Sequence, residues 1–590
     1  MELRTQVLII GGGAAGLTSS MLLSQAGIDT ILVERHQSTS ILPKAHVLNQ
    51  PTMEVFSEVG VAAEIYARGT PRENISRSGW FTSLTGPTPL HGRKIGDLSC
   101  FGGGALTERY AAASPCDVTN LPQIRLEPLL RRRAEALAPC RLRFHHELVG
   151  FRQDGDYIVA TMLDRDTSQE MTVRADYMIG ADGGRFVGPA LGVEMEGQQA
   201  LASMVSAHIS ADLSRWSDDQ TLINFYINPD GAGSMGSGVL VKMGPDHWGR
   251  HSEEWVFHCA FRPDDPAQFD EQTMLQRMRE SLGIPNFDPK IHVVSQWQVQ
   301  GTVANRFQVG SVFLMGDAVH RHPPTTGLGL NTAVGDAYNL CWKLAAALRG
   351  EAGPDLLASY EVERRHVAHL IVRQALSTFF QHQEIDEAIG LAPGQSVAEG
   401  WAAMAKLYAE GAEGDATRAR VARAIDGHLE FGALNVELGY VYEEGAVVAD
   451  GTAAPANPDP VRTYLPSARP GHRLPHAWVI RDGDRKSTFQ LFSTRRLTLF
   501  IGDDGGIWRE AAARIAARHG VSLEIVTIGD SAWRDVSDGW RRQSGLDQSG
   551  AVLVRPDARI AWRCTTRGDR AAADLEAAVI QILDRKGAAR

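Results

Sequence analysis

The groups best placed for chemistry are backbone amides at glycine-bearing turns. Gly11, Gly13 and Gly16 stand in Gly11-Gly12-Gly13-Ala14-Ala15-Gly16, directly after the apolar run Val7-Leu8-Ile9-Ile10. Glycines at that spacing let the chain approach a pyrophosphate, whose charge the positive end of a following helix stabilises. Glu34 ends the next apolar run, 18 residues beyond Gly16, where a carboxylate can accept both hydroxyls of an adenosine ribose. The combination is far more specific than the glycines alone. At the start of the chain it fits FAD at least as well as NAD.

A second group follows the apolar run Ser311-Val312-Phe313-Leu314-Met315: Gly316 and Asp317, then Pro323-Pro324-Thr325-Thr326-Gly327-Leu328-Gly329-Leu330-Asn331. A carboxylate at the end of a strand can accept polyol hydroxyls without a metal. The 327–331 turn leads into a helix, whose positive end can stabilise an anionic ring such as a reduced flavin and raise its potential. A third segment, Gly180-Ala181-Asp182-Gly183-Gly184-Arg185, carries another Asp-Gly pair. Among side chains that titrate near neutrality, His46 stands in an N-terminal loop, and His320 and His322 flank the Asp317 motif. We read the latter two as structural; His46 is either a base or a structural hydrogen-bonder.

These groups need a scaffold, and the hydrophobic pattern supplies one. The opening forty residues read as strand, helix and strand, with Gly27 at the helix C-terminus. Alternating runs at 157–162 and 171–179 read as a meander returning to the first sheet. Residues 195 to 300 are richer in strand formers and read as mainly antiparallel, and Trp216, Phe225, Tyr226, Trp248 and Trp255 there serve either a pocket or the core. Val334, Ala337, Leu340, Cys341 and Leu344 share one helical face, and further helices are expected at 355–380 and 396–427. A proline-punctuated stretch precedes a small α/β unit with strands at 497–501, 523–528 and 551–554.

The expected fold is therefore α/β: a Rossmann-like FAD-binding domain with a helical extension (1–190 and 301–448), an inserted mainly antiparallel substrate-binding β domain (191–300), a linker (449–475) and a C-terminal domain (476–590). The chain has 590 residues, 43% of them hydrophobic and 22% charged, with a net charge of −11. That field repels nucleic acid and acidic membranes, and Arg131-Arg132-Arg133 reads as a solvated helix face. Six cysteines without C-x-x-C spacing argue against a metal cluster or disulfide framework and favour a reducing cytoplasm. No stretch approaches 18 consecutive apolar residues, and the turn at Gly11 leaves no room for a cleavable leader.

Taken together, the motifs at 11–16, 180–185 and 311–331 resemble those of the group A flavoprotein monooxygenases, the single-chain aromatic hydroxylases. The resemblance implies FAD, with Asp317 on its ribityl chain, Pro324, Gly327, Gly329, Leu330 and Asn331 around the flavin ring, and Asp182 and Gly183 in the third motif. It also assigns an FAD contact to Gln123, which otherwise reads as a surface residue. It implies NADPH or NADH as co-substrate, O2, and transfer of oxygen to a phenolic substrate, ortho to its hydroxyl, through a flavin hydroperoxide. Lys44 to Glu54 resembles the segment beside the flavin in phenol and chlorophenol hydroxylases, with His46 aligned to their acidic residue. Residues 469 to 562 resemble their thioredoxin-like C-terminal domain and contain no C-x-x-C, which leaves packing or a homodimer contact as the expected role. The chain departs from the family pattern at Pro51, Phe186, Gly188 and Thr326. Hydroxylases of polycyclic, polyketide-like substrates share the same features and are the nearer alternative. A flavoprotein oxidase, dehydrogenase or halogenase is the other, although the halogenase W-x-W-x-I-P pattern is absent.

Overall fold

A computed structural model describes residues 2–137, 140–231, 237–261 and 270–585. The strand Glu2–Ile10 is central to the first sheet, between Thr30–Glu34 and Glu170–Gly180, with Cys140–Phe144 and Val312–Leu314 extending it on either side. These five strands are mutually parallel. Parallel strands covered on both faces are apolar throughout, which is why they read as unbroken runs rather than alternations. His146–Asp154 and Tyr157–Asp164 form the antiparallel meander that leads into Glu170–Gly180. The helix Ala14–Gln25 packs against Gly329–Leu348, so the two glycine turns open side by side.

The second sheet runs in the order His320–Arg321, Lys290–Ala304, Met195–Ser210, Glu254–Phe261, Val239–Gly244, Thr221–Tyr226, Arg77–Phe81 and Lys94–Ser99. The last two strands belong to residues that the sequence grouped with the nucleotide domain, a correction to the 191–300 boundary. They join through a parallel pairing with Thr221–Tyr226, a long-range crossover that leaves no local signature. One face of this sheet packs on the helix Glu271–Leu282, and Tyr226 and Trp255 are core there. Phe225 points to the other face, toward the flavin-binding half.

The helical extension comprises Asp355–Ile389, Val397–Leu407 and Ala412–Gly427. The expected 396–427 helix is thus two, separated at Gly411, whose φ of +90° breaks the helical path. Residues 449–475 form no helix or strand, yet Ala468 and Leu474 are fully buried, so this stretch is packed along its last third. Beyond it, Thr498–Ile501 pairs parallel with Glu524–Thr527 and antiparallel with Ala551–Val554, which pairs with Ile560–Cys564. With helices Gly506–His519 and Ala571–Ile582 this is the thioredoxin-like βαβ–ββα arrangement. Arg555 locks the domain down: fully buried, it donates to both oxygens of Glu363 at 2.7 and 2.8 Å and to Asp557. Lys343 donates to the same Glu363 at 2.8 Å. No helix among the described residues is long and apolar enough to cross a membrane.

Candidate functional site

Two glycines show how the motifs are brought together. Gly11 has a φ of +112°, and a Cβ there would lie 2.2 Å from the Ala181 carbonyl oxygen, so the first and third motifs touch only because no side chain intervenes. Gly316, at φ +62°, lies between Ala15 and Ala333, which packs the Asp317 turn between the starts of two helices. Gly13 is the N-cap of Ala14–Gln25 and Gly16 lies in its first turn, so the free amides face the groove where a pyrophosphate belongs.

The carboxylates divide into those left open and those already engaged. Glu34 accepts from the Gly12 amide at 2.7 Å and from the His36 amide at 2.8 Å. Each oxygen keeps a further lone pair, enough for two ribose hydroxyls. Asp317 is exposed and its carboxylate takes no donor among the described residues, as a ribityl-binding group requires. Asp182 differs: it accepts from the amides of Gly184, Phe186 and Val187 at 3.0, 2.8 and 2.9 Å. Its side chain shapes the turn that sets Gly183, whose carbonyl accepts from Arg321 at 2.8 Å. Gln123 begins the helix Gln123–Glu135 and donates to Glu127 at 2.5 Å. Glu127 borders Gly13, so Gln123 does lie beside the pyrophosphate turn.

The sequence missed the residue that holds the Asp317 turn. Asp336, fully buried on Gly329–Leu348, accepts from the Gly316 amide at 3.0 Å, from His320 Nε2 at 2.9 Å and from Arg364 Nε at 2.7 Å. Burial pushes this carboxyl up, but Arg364, His320 and the amide together hold it below the usual carboxylate range. The available signal was a row of polar residues at helical spacing, Thr332, Asp336, Asn339 and Lys343, on a helix whose other faces are largely apolar. His320 thus has the structural role read from the sequence.

Around the flavin end, Asn331 Nδ2 donates to the carbonyls of Val47 at 3.0 Å and Gly327 at 2.7 Å, while its Oδ1 accepts from the Asn49 amide at 3.0 Å. Its side chain therefore staples the 47–49 segment to the 327 turn, leaving backbone amides to face the ring. Gly329 and Leu330 open the helix, and the exposed Pro324 precedes the Thr325–Gly327 turn. Thr326 sits at φ +77°, a left-handed conformation that strains a β-branched residue. His322 donates from Nδ1 to the Pro323 carbonyl at 2.8 Å, which leaves its Nε2 bare beside Gly329, and burial lowers its pKa to about 4.

His46 is part of a fixed chain. Asn120 Nδ2 donates to Thr70 Oγ1 at 2.8 Å, so its Oδ1 faces His46 Nδ1 at 2.6 Å as an acceptor. The His46 proton is thereby placed on Nδ1 and Nε2 carries a lone pair. Titration near neutrality is not what this environment gives: burial lowers the His46 pKa to about 4, against the raising effect of Asn120. On the facing sheet, His258 is lowered to about 3 by burial and by neighbouring His46. His258 Nδ1 lies 2.7 Å from Ser206 Oγ, which accepts from Trp297 Nε1 at 3.0 Å. This second polar group was not identified from the sequence, although Ser206 and His258 each interrupt an apolar strand at period two.

The sheet face turned toward the nucleotide-binding half carries one row of directly paired residues, Trp80, Phe225, Val239, His258, Ser206 and Ser295. It is aromatic at one end and polar at the other. At its polar end His258 neighbours His46, whose Nε2 carries a lone pair.

Comparison with known proteins agrees with this geometry. The FAD binding domain family matches residues 4–375, and the aromatic-ring hydroxylase C-terminal family matches residues 467–586. The 2,4-dichlorophenol 6-monooxygenase of Delftia acidovorans is 34% identical over 588 residues, covering 98% of both chains. A crystal structure of the flavin-dependent monooxygenase PieE with FAD and substrate superposes with a TM-score of 0.92 at 38% identity, covering 99% of each chain. A ternary complex of aklavinone-11 hydroxylase with FAD and aklavinone gives 0.80 at 29% identity, covering 98% of this chain and 99% of that one.

Proposed function

The chain belongs to the family of FAD-binding aromatic-ring hydroxylases, and from that membership we propose that it hydroxylates a phenolic ring beside the hydroxyl-bearing carbon, using NADH or NADPH and O2. FAD is its cofactor. When bound it supplies the redox chemistry: a hydride from the nicotinamide reduces it, one atom of O2 enters the ring and the other leaves as water.

The residues of this chain bind and orient. Glu34 takes the ribose hydroxyls, the amides from Gly11 to Gly16 the pyrophosphate, and Asp317 the ribityl chain, with Asp336 fixing the turn from behind. The helix opening at Gly329 turns its positive end toward the pyrimidine edge, favouring the reduced, anionic ring. The single observation that carries the phenolic reading is the His46 Nε2 lone pair, fixed by Asn120 and Thr70 at the polar end of the sheet row. A bare nitrogen there accepts from a phenol hydroxyl and shifts electron density into the ring that is to be attacked. The name of the Delftia relative puts its new oxygen at carbon 6, adjacent to the phenol carbon, which supports the same regiochemistry here. Cys100, Cys116, Cys259, Cys341 and Cys564 are free, in keeping with a reducing cytoplasm.

The test is a panel of phenols and hydroxybenzoates, scored for oxygen-dependent NADH and NADPH consumption and for product mass. A phenol gaining one oxygen atom per nicotinamide oxidised is expected. Nicotinamide consumption that yields only peroxide across the panel overturns the reading.

A further inference from the structure

A cavity of about 60 Å³ lies where the C-terminal domain meets the nucleotide-binding half. Its walls come from the start of Gly329–Leu348, from Arg364 on Asp355–Ile389, from residues 436–442, and from Arg473 and Asp557 to Arg559. Asn49 and Asn331 also border it, so it backs onto the segment that Asn331 staples to the 327 turn. A space of this size holds roughly four water molecules, or one small ion.

The charges around it do not balance. Arg364 is paired with Asp336 and Arg473 with Glu54, while Asp557 belongs to a balanced group with Arg555, Lys343 and Glu363. Arg559 is only 5% exposed and has no carboxylate partner among the described residues. It donates from Nη1 to the Tyr440 carbonyl at 2.7 Å and stacks on the Tyr440 ring, 3.9 Å from the centroid. Glu54, whose charge it feels, is already engaged by Arg473 and Ser114. Glu437 also lines the cavity, but it accepts from Tyr110 Oη at 2.9 Å, and burial raises it to about 7, so it carries at most part of a charge near neutrality. A buried guanidinium without a counterion is costly. Two phenols add to the imbalance. Tyr442 Oη accepts from Arg364 Nη1 at 3.0 Å, and Tyr440 Oη accepts from the same nitrogen at 3.4 Å. Each hydroxyl keeps one proton to donate, and neither proton meets an acceptor among the described residues.

We propose that this cavity binds one small monovalent anion, a halide or a carboxylate of formate size, held by the Arg559 guanidinium and the hydroxyls of Tyr440 and Tyr442. Donors without acceptors around one unbalanced positive charge are its complement. A divalent oxyanion fits less well, because its second charge would stand against Glu54 and Asp557. The rival account is internal. Burial raises the Tyr440 phenol, but Arg559 and Arg364 together bring it below its ordinary value, and a phenolate there would itself supply the missing charge.

The test follows thermal unfolding of the holoenzyme as gluconate, too large for the cavity, is exchanged for chloride, bromide or formate at fixed ionic strength and neutral pH. A saturable rise in Tm with halide or formate is expected in the wild type. Whichever of the two acts at the lower concentration identifies the source. Tyr442→Phe removes one O–H and keeps the ring. It should raise the half-saturating concentration about tenfold or more, the loss of one hydrogen bond to a charged group. Arg559→Gln should abolish the response. No difference from gluconate, the same half-saturating concentration in the wild type and Tyr442→Phe, or a stronger response to sulfate would overturn the proposal. So would a tyrosinate absorption band of the wild type at neutral pH that Tyr440→Phe removes, since the charge would then be balanced from within. If Arg559→Gln does not fold, Tyr442→Phe decides alone.

Discussion

Replacing His46 by alanine separates two roles that differ greatly in size. A phenol hydroxyl titrates near 10 and His46 near 4, so complete proton transfer is uphill by about 6 pKa units, or about 8 kcal/mol. That argues against His46 as an efficient general base, whose loss would cost about 10²- to 10⁴-fold. A neutral hydrogen bond to Nε2 contributes about 0.5 to 1.5 kcal/mol, so His46→Ala should lower kcat/KM for a phenol only about two- to tenfold. His46→Gln, which can present an amide oxygen, should recover part of the loss. Anaerobic flavin reduction without substrate should be unchanged in both variants. The pH dependence follows from the same values. Nε2 loses its lone pair only as pH falls through about 4, so His46 contributes no change in kcat/KM across pH 5.5 to 8.5. Steady-state and stopped-flow measurements over that range are the assay. A loss of 100-fold or more, or a wild-type limb near pH 6.5 that vanishes in His46→Ala, would refute the hydrogen-bond role and restore the base.

Asp317→Ala should weaken FAD by at least tenfold in a fluorescence-quenching titration, because ionised acceptors contribute about 1.5 to 3 kcal/mol per hydrogen bond; unchanged affinity would place the ribityl chain elsewhere. Glu437 is raised by burial to about 7, against the lowering effect of Tyr110. Its contribution to stability is full below the unfolded value near 4.5 and is lost as pH rises through 7. Glu437→Gln should therefore gain up to about 3 kcal/mol over the wild type at pH 8 and under about 1 kcal/mol at pH 5, and equal Tm shifts at the two pH values would contradict this. Arg555→Ala leaves Glu363 and Asp557 buried without their guanidinium and should cost about 3 to 5 kcal/mol. A thermal unfolding midpoint within a degree of the wild type would show that the C-terminal domain is held by other contacts.

The nucleotide half was legible because its instructions are local. Gly11 to Gly16, Glu34, Gly316, Asp317 and the 327–331 turn each act through the backbone or a free carboxylate, and each lies in a short pattern next to the element it serves. What the sequence hid depends on partners far along the chain. Asp336 meets Gly316 and Arg364, 20 and 28 residues away, and His46 is fixed by Asn120, 74 residues away. The histidine's type suggested a base; its burial, which no local pattern displays, lowers its pKa to about 4 and favours a neutral acceptor. Thr326 was visible as a departure from glycine, but the left-handed backbone that makes the departure costly appears only once Gly327 is packed against Val47.

The substrate half is written in strand register, and that explains both its obscurity in the sequence and the specificity it can hold. Ser206 and His258 share the sheet face beside His46 because Met195–Ser210 pairs with its two neighbours so that Val205, Ala207 and Phe257 turn to the opposite core. A one-residue slip of that strand would exchange its two sets, turning Ser206 and His208 toward Met274 and Met278 and Val205 and Ala207 to the other face. The pairing with Lys290–Ala304 shifts register between Gln198 and Ala202 and again between His208 and Ile209. The two irregularities bracket the stretch that carries Ser206 and His208, and the interval between them fixes which side chains turn to this face. Which side chains this face displays therefore depends on where the sheet is interrupted as much as on the residues themselves.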